Sequence, residues 1–487
     1  MRALEQAAFD RGVLAEALMD EAGESLGRFL AHFFSDRGTA VAYLGKGNNG
    51  GDALVALRVL RDAGWRVGVR TAVDREELAP LPQRKWDDLG EFVEFSGPDE
   101  VRQARGPLLL IDGLLGIGAH GPVRTPLREL ADEMNFLRAE AGARVAAVDI
   151  PSGVDADTGE VREGAVRADV TCVIAVGKPG LVREECLDHV GRLELIPLAE
   201  LPPPENGPQL ITPRSLRSVV PRRAFHTHKG EAGRVGIVAG SRGFLGAAVL
   251  CSLGALRGGA GLVTLYVPEN LYPVMVAAGC LPEVMIKPVA SPVEALDDSL
   301  DVLALGPGVG GAEESYYSKL LECIDWARIP VILDADGLNL VARERPGRAH
   351  GGGFLLTPHP GEMARLLPNE KGDRACLARA ACEIYKAPIL FKGARTIVTA
   401  PGEDLHYNTT GSPGMATGGQ GDLLTGLLAA LVAGGASLFE AARAGAWLTG
   451  RAAEIALGDR RLSEESLLPS DLADYLGRAF RALREEQ

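Results

Sequence analysis

A glycine-rich stretch from Asn408 to Leu424, NTTGSPGMATGGQGDLL, carries the residues best suited to chemistry. It precedes a predicted helix, because leucines recur from Leu424 at i, i+3, i+4 and i+7, the spacing of one apolar helical face. Such a loop leaves backbone N–H groups free to hold a phosphate, and the helix dipole favours the anion. Asp422, in the first helical turn, is either an ordinary helix cap or a base that takes a proton from a hydroxyl attacking phosphorus.

A second glycine-rich loop, GKGNNGGD from Gly45 to Asp52, follows a short apolar strand predicted at Thr39–Leu44. Its glycines permit close approach of the backbone to a ligand. The loop lacks the GK[ST] ending of a Walker loop, so triphosphate hydrolysis is not indicated. Asn48, Asn49 and Asp52 supply oxygens that suit a hard cation or ribose hydroxyls, and a tight Asn-Gly turn capped by Asp52 is the alternative.

Aspartates end two further predicted strands of this half. Asp112 follows the apolar run Pro107–Ile111, and Asp149 follows Arg144–Val148. Because open α/β sheets bind ligands at the carboxyl ends of their strands, we expect both side chains at one edge of the sheet. Asp149 is the first candidate for proton transfer, and Lys178, after another predicted strand, is the second.

The segment after Asp112 contains a formal G-x-G-x-x-G from Gly116 to Gly121. Pro122 follows the motif, and a helix is predicted only from Thr125-Pro126, so the motif does not open a helix as a dinucleotide fingerprint does. On local grounds, His120 within it is an exposed loop residue.

Four segments in this order, GKGNNGGD, IDGLLGIGAHGPV, VDIPSGVDADTGEV and VGKPG, resemble the NAD(P)HX epimerase family, whose members interconvert the S and R hydrates of NADH and NADPH. The resemblance implies that Asp149 contacts the substrate near the reacting ring. It also implies that Asn49, Asp112 and Ser152 hold a potassium ion. The residues that it implies for the hydrated dinucleotide are Asn48, Asn49, Gly50, Gly51, Asp52, Gly116, Ile117, Gly118, Ala119, His120, Gly121, Pro122 and Asp149.

Residues 197–208, PLAELPPPENGP, are rich in proline and lack any period, which indicates a domain boundary. After them apolar strands again end in Gly, Asp, His or Pro, which predicts a second α/β domain. Lys392, in KGART at a strand end, is an anion contact or a solvated surface lysine. His359, in TPHPGE, contacts a ligand or is structural. His226 and His228 are expected in a solvated loop, because no further metal ligand lies near them in the sequence.

The segments GPGVG, TPHPGE, KGART and GSPGMATGGQGD resemble the ADP-dependent NAD(P)HX dehydratase family, which has a ribokinase-like fold. The resemblance implies that Ala248, Gly308 and His359 contact the hydrated dinucleotide and that Asp422 meets its hydroxyl. Mg²⁺ is expected for phosphoryl transfer. The residues implied for ADP are Lys392, Gly393, Ala394, Arg395, Thr396, Ser412, Pro413, Gly414, Met415, Ala416, Thr417, Gly418, Gly419, Gln420 and Gly421.

Alternating strands and helices, together with the two resemblances, predict two doubly wound α/β domains. Residues 1–203 are expected to form a Rossmann-like three-layer sandwich with epimerase activity, and residues 210–487 a ribokinase-like domain with dehydratase activity. The implied function is repair of hydrated NADH and NADPH, with ADP as co-substrate and AMP and phosphate as products. One alternative is a ribokinase-like small-molecule kinase with a dinucleotide-binding N-terminal domain, and another is a non-catalytic dinucleotide sensor. The lack of a separate sugar lid argues against the kinase, and the presence of Asp149 and Asp422 argues against the sensor.

Composition sets the remaining expectations. The chain has 487 residues and a net charge of −14, without a long basic run, so nucleic-acid binding is not expected. No signal peptide or apolar run of about 20 residues is visible, so we expect a cytoplasmic protein without a membrane span. The seven cysteines form no CxxC pair and are expected to be buried and reduced. The expected partners are NADHX, NADPHX and ADP, and homo-oligomerisation is expected.

Overall fold

The computed structural model describes residues 1–119, 121–204, 206–279, 281–297, 299–344, 353–459 and 462–485. Contacts divide the chain into two compact units, Met1–Glu205 and Asn206–Gln487. Each unit has its own sheet. Among the described residues, no helix combines the length and apolar character that crossing a bilayer requires.

The described part of the first unit has seven strands and seven α-helices. The strands are β1 Thr39–Leu44, β2 Arg66–Thr71, β3 Val93–Glu94, β4 Leu108–Gly113, β5 Arg144–Val148, β6 Val170–Ile174 and β7 Arg192–Ile196. The helices are α1 Arg2–Asp10, α2 Ala15–Phe33, α3 Asn48–Asp62, α4 Pro80–Asp88, α5 Pro98–Arg102, α6 Leu127–Ala141 and α7 Leu187–Val190. All paired strands are parallel, in the order β3-β2-β1-β4-β5-β6-β7. The strand order therefore reverses between β1 and β4, which is where a doubly wound sheet opens its ligand crevice.

Strand β1 shows that both faces of this sheet are covered. Ala40, Ala42 and Leu44 belong to a core that includes α2 and α3. Val41 and Tyr43 belong to a second core that includes α6. Because successive strand residues point to opposite faces, the sheet lies between two helical layers. The predicted three-layer sandwich is confirmed.

The second unit has ten strands and ten helices among the described residues. The strands are β8 Gln209–Ile211, β9 Arg234–Val238, β10 Leu262–Pro268, β11 Met285–Val289, β12 Val302–Leu305, β13 Val331–Leu333, β14 Phe354–Leu356, β15 Ile389–Phe391, β16 Ile397–Thr399 and β17 His406–Asn408. The helices are α8 Pro213–Leu216, α9 Leu245–Arg257, α10 Tyr272–Ala277, α11 Glu314–Trp326, α12 Asp336–Glu344, α13 Pro360–Leu366, α14 Arg374–Tyr385, α15 Gln420–Ala433, α16 Leu438–Gly458 and α17 Pro469–Glu485.

The strand order of the second sheet is β11-β10-β9-β12-β13-β14-β15-β16-β17-β8. From β11 to β15 the strands are parallel, as a doubly wound sheet requires. Strand β16 is antiparallel to both of its neighbours. The sequence predicted the parallel part but not the edge formed by β16, β17 and β8, whose strands are only three residues long.

Helix α15 runs through the core of the second unit. The leucine spacing predicted one apolar face, but every residue from Leu423 to Val432 is buried. Two glycines allow this burial, because a Cβ on Gly426 would overlap the carbonyl oxygen of Cys251 in α9, and one on Gly254 would overlap that of Leu423. The first turn of α15 is therefore anchored by a helix that the core encloses on all sides.

The cysteines are largely as predicted. The described cysteines are free thiols, and all but one are buried. The expectation of burial was wrong for Cys376, which is exposed because it lies in the first turn of α14, on the surface of the unit. Cys280 lies outside the described residues.

Candidate functional site

The two predicted proton-transfer residues of the first unit, Asp149 and Lys178, are in contact. The Lys178 ammonium pairs with Asp149 Oδ1, and only 6% and 10% of the two side chains are exposed. Lys178 Nζ also donates to the Ile174 carbonyl at 2.8 Å, and the Ile174 N–H donates to Asp149 Oδ1 at 2.9 Å. The end of β6 thus fixes both members of the pair.

Asn49, Asp112 and Ser152, which the resemblance assigns to potassium, surround one loop. Asp112 accepts hydrogen bonds from Ser152 Oγ at 2.6 Å and from the Ser152 N–H at 2.7 Å. Ser152 Oγ accepts from the Leu115 N–H at 2.9 Å, and Asn49 Nδ2 donates to the Leu115 carbonyl at 3.1 Å. Burial raises the pKa of Asp112 to about 6, although the hydrogen bonds from Ser152 and from the Leu114 N–H oppose that rise.

The glycine loop after β1 is shorter than predicted. It was expected to run from Gly45 to Asp52, but α3 already begins at Asn48, with Gly47 at the N-cap. Asn49 Nδ2 donates to the Val148 carbonyl at 3.0 Å, so the first turn of α3 lies against the end of β5. The residues that could hold a ligand are therefore carried by a helix rather than by a free loop.

Asp52 faces the same site as Asn49, because the two are three residues apart on α3. Burial raises the pKa of Asp52, and the charges of Asp149 and Glu5 raise it further.

Residues 116–119 and 121–122 form irregular structure after β4. A Cβ on Gly116 would lie 3.5 Å from the side-chain oxygen of Asn49, and Gly118 faces open space. This places the segment beside the first turn of α3. His120 lies outside the described residues.

In the second unit, Lys392 lies among three acidic side chains at the end of β15. Its ammonium is 2.6 Å from Asp334 Oδ1 and 3.7 Å from Glu362 Oε2. A Cβ on Gly421 would lie 3.4 Å from the same ammonium, which places it beneath the first turn of α15. Burial raises the pKa of Asp422 to about 6; the charge of Asp334 also raises it, and Lys392 lowers it.

Asp334 follows β13 and is 1% exposed. It accepts hydrogen bonds from Thr357 Oγ1 and Thr425 Oγ1, both at 2.8 Å. Asp336, two residues on, accepts from the Gly310 N–H at 2.8 Å. Through Asp334 and Asp336, the segment after β13 is therefore hydrogen-bonded both to α15 and to the glycine loop after β12.

The first turn of α15 has the features of an anion site. Its N-cap, Gly419, has a φ of 94°, and no side chain caps the helix. The N–H groups of residues 420–422 therefore lack intrahelical acceptors and are free to bind an anion at the N-terminus of the helix. Upstream, Ser412 Oγ accepts from the Gly414 N–H at 3.2 Å and closes a single turn at Pro413–Met415.

Arg374 braces the segment Lys392–Thr396, to which the resemblance assigns ADP. The guanidinium donates to the carbonyls of Phe391 and Lys392 at 3.0 Å and of Arg395 at 3.1 Å. A Cβ at Gly393 would overlap this guanidinium, so a side chain there would displace Arg374 from its present position.

The residues expected to contact the dinucleotide in the second unit differ in exposure. Ala248 is fully buried in the core, so its side chain is closed to solvent. Gly308 has a φ of 64°, and its carbonyl accepts from Ser241 Oγ at 2.6 Å. His359 is half-exposed and caps α13 by accepting from the Gly361 N–H at 3.0 Å.

Comparison with known proteins covers both units. Residues 235–478 match the family described as NAD(P)H-hydrate dehydratase, and residues 15–180 match the YjeF-related protein N-terminus. The bifunctional NAD(P)H-hydrate repair enzyme of Moorella thermoacetica is 34% identical and covers 96% of this chain and 93% of its own. The corresponding enzyme of Gloeobacter violaceus is 37% identical and covers 92% of each chain. The chain belongs to the family of bifunctional NAD(P)H-hydrate repair enzymes.

A solved structure extends the comparison to the fold of this NAD(P)H-hydrate repair family member. A ribokinase-like superfamily protein from Enterococcus faecalis V583 is 25% identical and covers 57% of this chain and 97% of its own, with a TM-score of 0.50. The predicted ribokinase-like fold is confirmed.

Sequence reasoning did not single out several residues that the fold brings to the second site. They are Asp334, Thr357, Glu362 and Thr425. The available signal was the segment DADGLN, in which an aspartate directly follows a buried strand, as Asp149 does in the first unit.

Proposed function

We propose that this chain repairs hydrated NADH and NADPH. The first unit interconverts the R and S hydrates, and the second dehydrates the S hydrate with ADP as the phosphoryl donor. The observation that carries the proposal is the position of Asp422, in the first turn of α15 beside uncapped N–H groups and close to Lys392. With its pKa raised to about 6, Asp422 is deprotonated at neutral pH yet basic enough to accept a proton.

The dehydration proceeds in two steps. Asp422 removes the proton from the ring hydroxyl, and the oxygen attacks the β-phosphorus of ADP while the bond from that phosphorus to the bridging oxygen breaks. AMP leaves with the electron pair of that bond. The new phosphate ester then breaks at its carbon–oxygen bond, the neighbouring ring carbon loses a proton, and the ring double bond returns. Phosphate replaces hydroxide as the leaving group.

Backbone N–H groups and Lys392 stabilise the charge that develops on the phosphates. The N–H groups of Gln420 and Gly421 and the dipole of α15 act on the same anion. We propose that residues 392–396 and 412–421 hold ADP, and that Ala248, Gly308, His359 and Asp422 border the hydrated dinucleotide.

Mg²⁺ is the metal expected with ADP. Among the described residues no group of three or more His, Cys, Asp or Glu is arranged to hold a metal ion. We infer that Mg²⁺ would be bound together with ADP, because phosphate oxygens of a substrate are common Mg²⁺ ligands. Its contribution is neutralisation of phosphate charge.

For the first unit we propose that Asp149 transfers the proton during epimerisation and that Lys178 holds it in place. Residues 48–52 and 116–122 border the substrate. Asn49, Asp112 and Ser152 would hold potassium, because amide, carboxylate and hydroxyl oxygens suit a hard cation. Burial of Asp112 without a cationic partner among the described residues supports this assignment, since its pKa rises to about 6.

The proposal is tested by incubating the full-length chain with hydrated NADPH, ADP and Mg²⁺. We expect NADPH absorbance to appear with equal amounts of AMP, from both epimers. A small-molecule kinase would release no NADPH, and a dinucleotide sensor would bind the hydrate without turnover. Homo-oligomerisation and a cytoplasmic location stay predictions of the sequence.

A further inference from the structure

The Lys392 ammonium lies among several carboxylates, and the carboxylate with which it pairs affects whether Asp422 is free of an ion pair. The ammonium lies 2.6 Å from Asp334 Oδ1 and farther, at 3.7 Å, from Glu362. Asp422 forms no ion pair or side-chain hydrogen bond with any residue that the structure describes, although the charge of Lys392 acts on it.

We propose that Asp334 is a positioning residue for dehydration, which holds Lys392 away from Asp422 and so leaves the Asp422 carboxylate without an ion-pair partner and able to accept the proton of the substrate hydroxyl. This inference rests on the function proposed for the second unit. It adds a residue that contacts neither the hydroxyl nor the phosphates and acts through Lys392.

The geometry explains why the ammonium stays with Asp334. The two threonine hydroxyls that bind this carboxylate, of Thr357 and Thr425, lie on different elements, so Asp334 is fixed from two sides. Thr425 lies on α15, one turn after Asp422, so the buried helix itself carries part of the support. Because Asp334 is 1% exposed, its charge has no access to water, and loss of the ammonium would leave it uncompensated.

Five ionisable groups face Asp422 from the elements packed against it. They are Asp334 after β13, Asp336 on α12, Glu362 on α13, Lys392 after β15 and Cys251 on α9. The three acidic groups raise the pKa of Asp422, in addition to its burial, and Lys392 lowers it. Neutralising Asp334 should therefore lower the pKa of Asp422 in two ways. The negative charge of Asp334, which raises this pKa, disappears, and the freed Lys392 ammonium, which lowers it, can move towards Asp422.

The test is the pH dependence of kcat for dehydration by the full-length enzyme, with S hydrate and saturating ADP. In the wild-type enzyme, activity is expected to fall as the pH drops through about 6, because Asp422 must be deprotonated. In Asp334→Asn the acidic limb of the pH profile, where kcat falls with decreasing pH, should move down by about one pH unit. The pH-independent value of kcat should fall by about tenfold, because a less basic carboxylate is a poorer proton acceptor.

Two control variants separate positioning from a loss of packing or charge. Thr425→Val removes one of the hydrogen bonds that fix Asp334 but leaves the Asp334–Lys392 ion pair, so the acidic limb should shift by less than in Asp334→Asn. Asp336→Asn removes a raising charge without releasing Lys392, so its shift should be smaller than that of Asp334→Asn. Far-ultraviolet circular dichroism and the midpoint of thermal unfolding report whether each variant is folded.

If Asp334→Asn does not fold, the double variant Asp334→Asn/Lys392→Met removes both partners of the ion pair and should bring the limb back towards the wild-type pH. An acidic limb at the wild-type pH in a folded Asp334→Asn enzyme with reduced kcat would overturn the positioning role and leave the proposed function intact. Absence of NADPH formation by the wild-type enzyme would overturn both.

Discussion

The ammonium of Lys178 and the carboxylate of Asp149 form an ion pair that is almost closed to solvent, at the point where β5 ends. Asp149 has a φ of 65°, in the left-handed region that non-glycine residues seldom adopt. Such backbone strain costs about 1–3 kcal/mol and collects at functional sites. Here it turns the carboxylate towards the end of β6, where the Ile174 N–H and Lys178 hold it in place.

Replacing Asp149 by alanine should block epimerisation and leave dehydration intact. We expect Asp149→Ala to repair the S hydrate at the wild-type rate and to leave the R hydrate unrepaired, because the variant loses its proton-transfer group but keeps the second unit unchanged. Chromatographic separation of the two hydrates during the reaction provides the measurement. Asp157→Ala, at an exposed position in the same segment, is the matched control and should repair both. Equal repair of both epimers by Asp149→Ala would contradict the assignment.

Replacing Asp422 by alanine should separate chemistry from binding. NADPH recovery should fall by at least about 100-fold, since the general base is lost. ADP should still bind, because the uncapped N–H groups of α15 belong to the backbone. Stopped assays for NADPH and calorimetry for ADP check the two halves of the prediction. Asp474→Asn, which removes an exposed ion pair with Arg257, should behave as wild type. Full activity of Asp422→Ala would refute its role as base.

Loss of the Arg374 guanidinium should weaken ADP binding more than catalysis. Arg374→Met removes three hydrogen bonds to carbonyls of residues 391–395, so this segment should lose its fixed conformation. We expect KM for ADP to rise by about tenfold, with a smaller change in kcat. The exposed Arg379, on the same helix, supplies the control Arg379→Met, for which both constants should stay unchanged. An unchanged KM in Arg374→Met would show that the segment is ordered without it.

Adding a methyl group at Gly426 should destabilise the second unit. Its Cβ would overlap the backbone of α9, which cannot move aside as a flexible side chain can. We expect Gly426→Ala to lower the free energy of unfolding by about 1–3 kcal/mol. Gly477→Ala is the control, because its Cβ would meet open space on α17, and it should be neutral or stabilising by up to about 1 kcal/mol. The free energy of unfolding of both variants can be measured by urea denaturation, with the loss of ADP binding as the signal.

The candidate residues that the sequence predicted follow general rules about where ligands bind in α/β folds. Asp112 and Asp149 end buried parallel strands, and the fold brings strand ends to one edge of a sheet. Asp422 follows a second rule, the glycine loop before a helix. Both rules depend on neighbours in sequence, which is why the two doubly wound sheets could be predicted from the sequence.

The remaining features depend on partners far apart in the chain. Asp334 pairs with Lys392 and Thr425, which are 58 and 91 residues away, and no local pattern shows that these side chains meet. The burial of α15 on all sides was missed for a related reason. Gly426 and Thr425 interrupt the apolar pattern, yet the glycine is what allows α9 to approach.

The enclosure of α15 has a consequence for hydrogen exchange. Amide hydrogens from Leu427 to Val432 lie in a helix with no solvent-facing side, so they should exchange only when the whole second unit opens. Asp422 lies in the first turn of that same helix. Thermal fluctuations that fray surface helices should therefore leave its carboxylate in register until the unit melts as a whole.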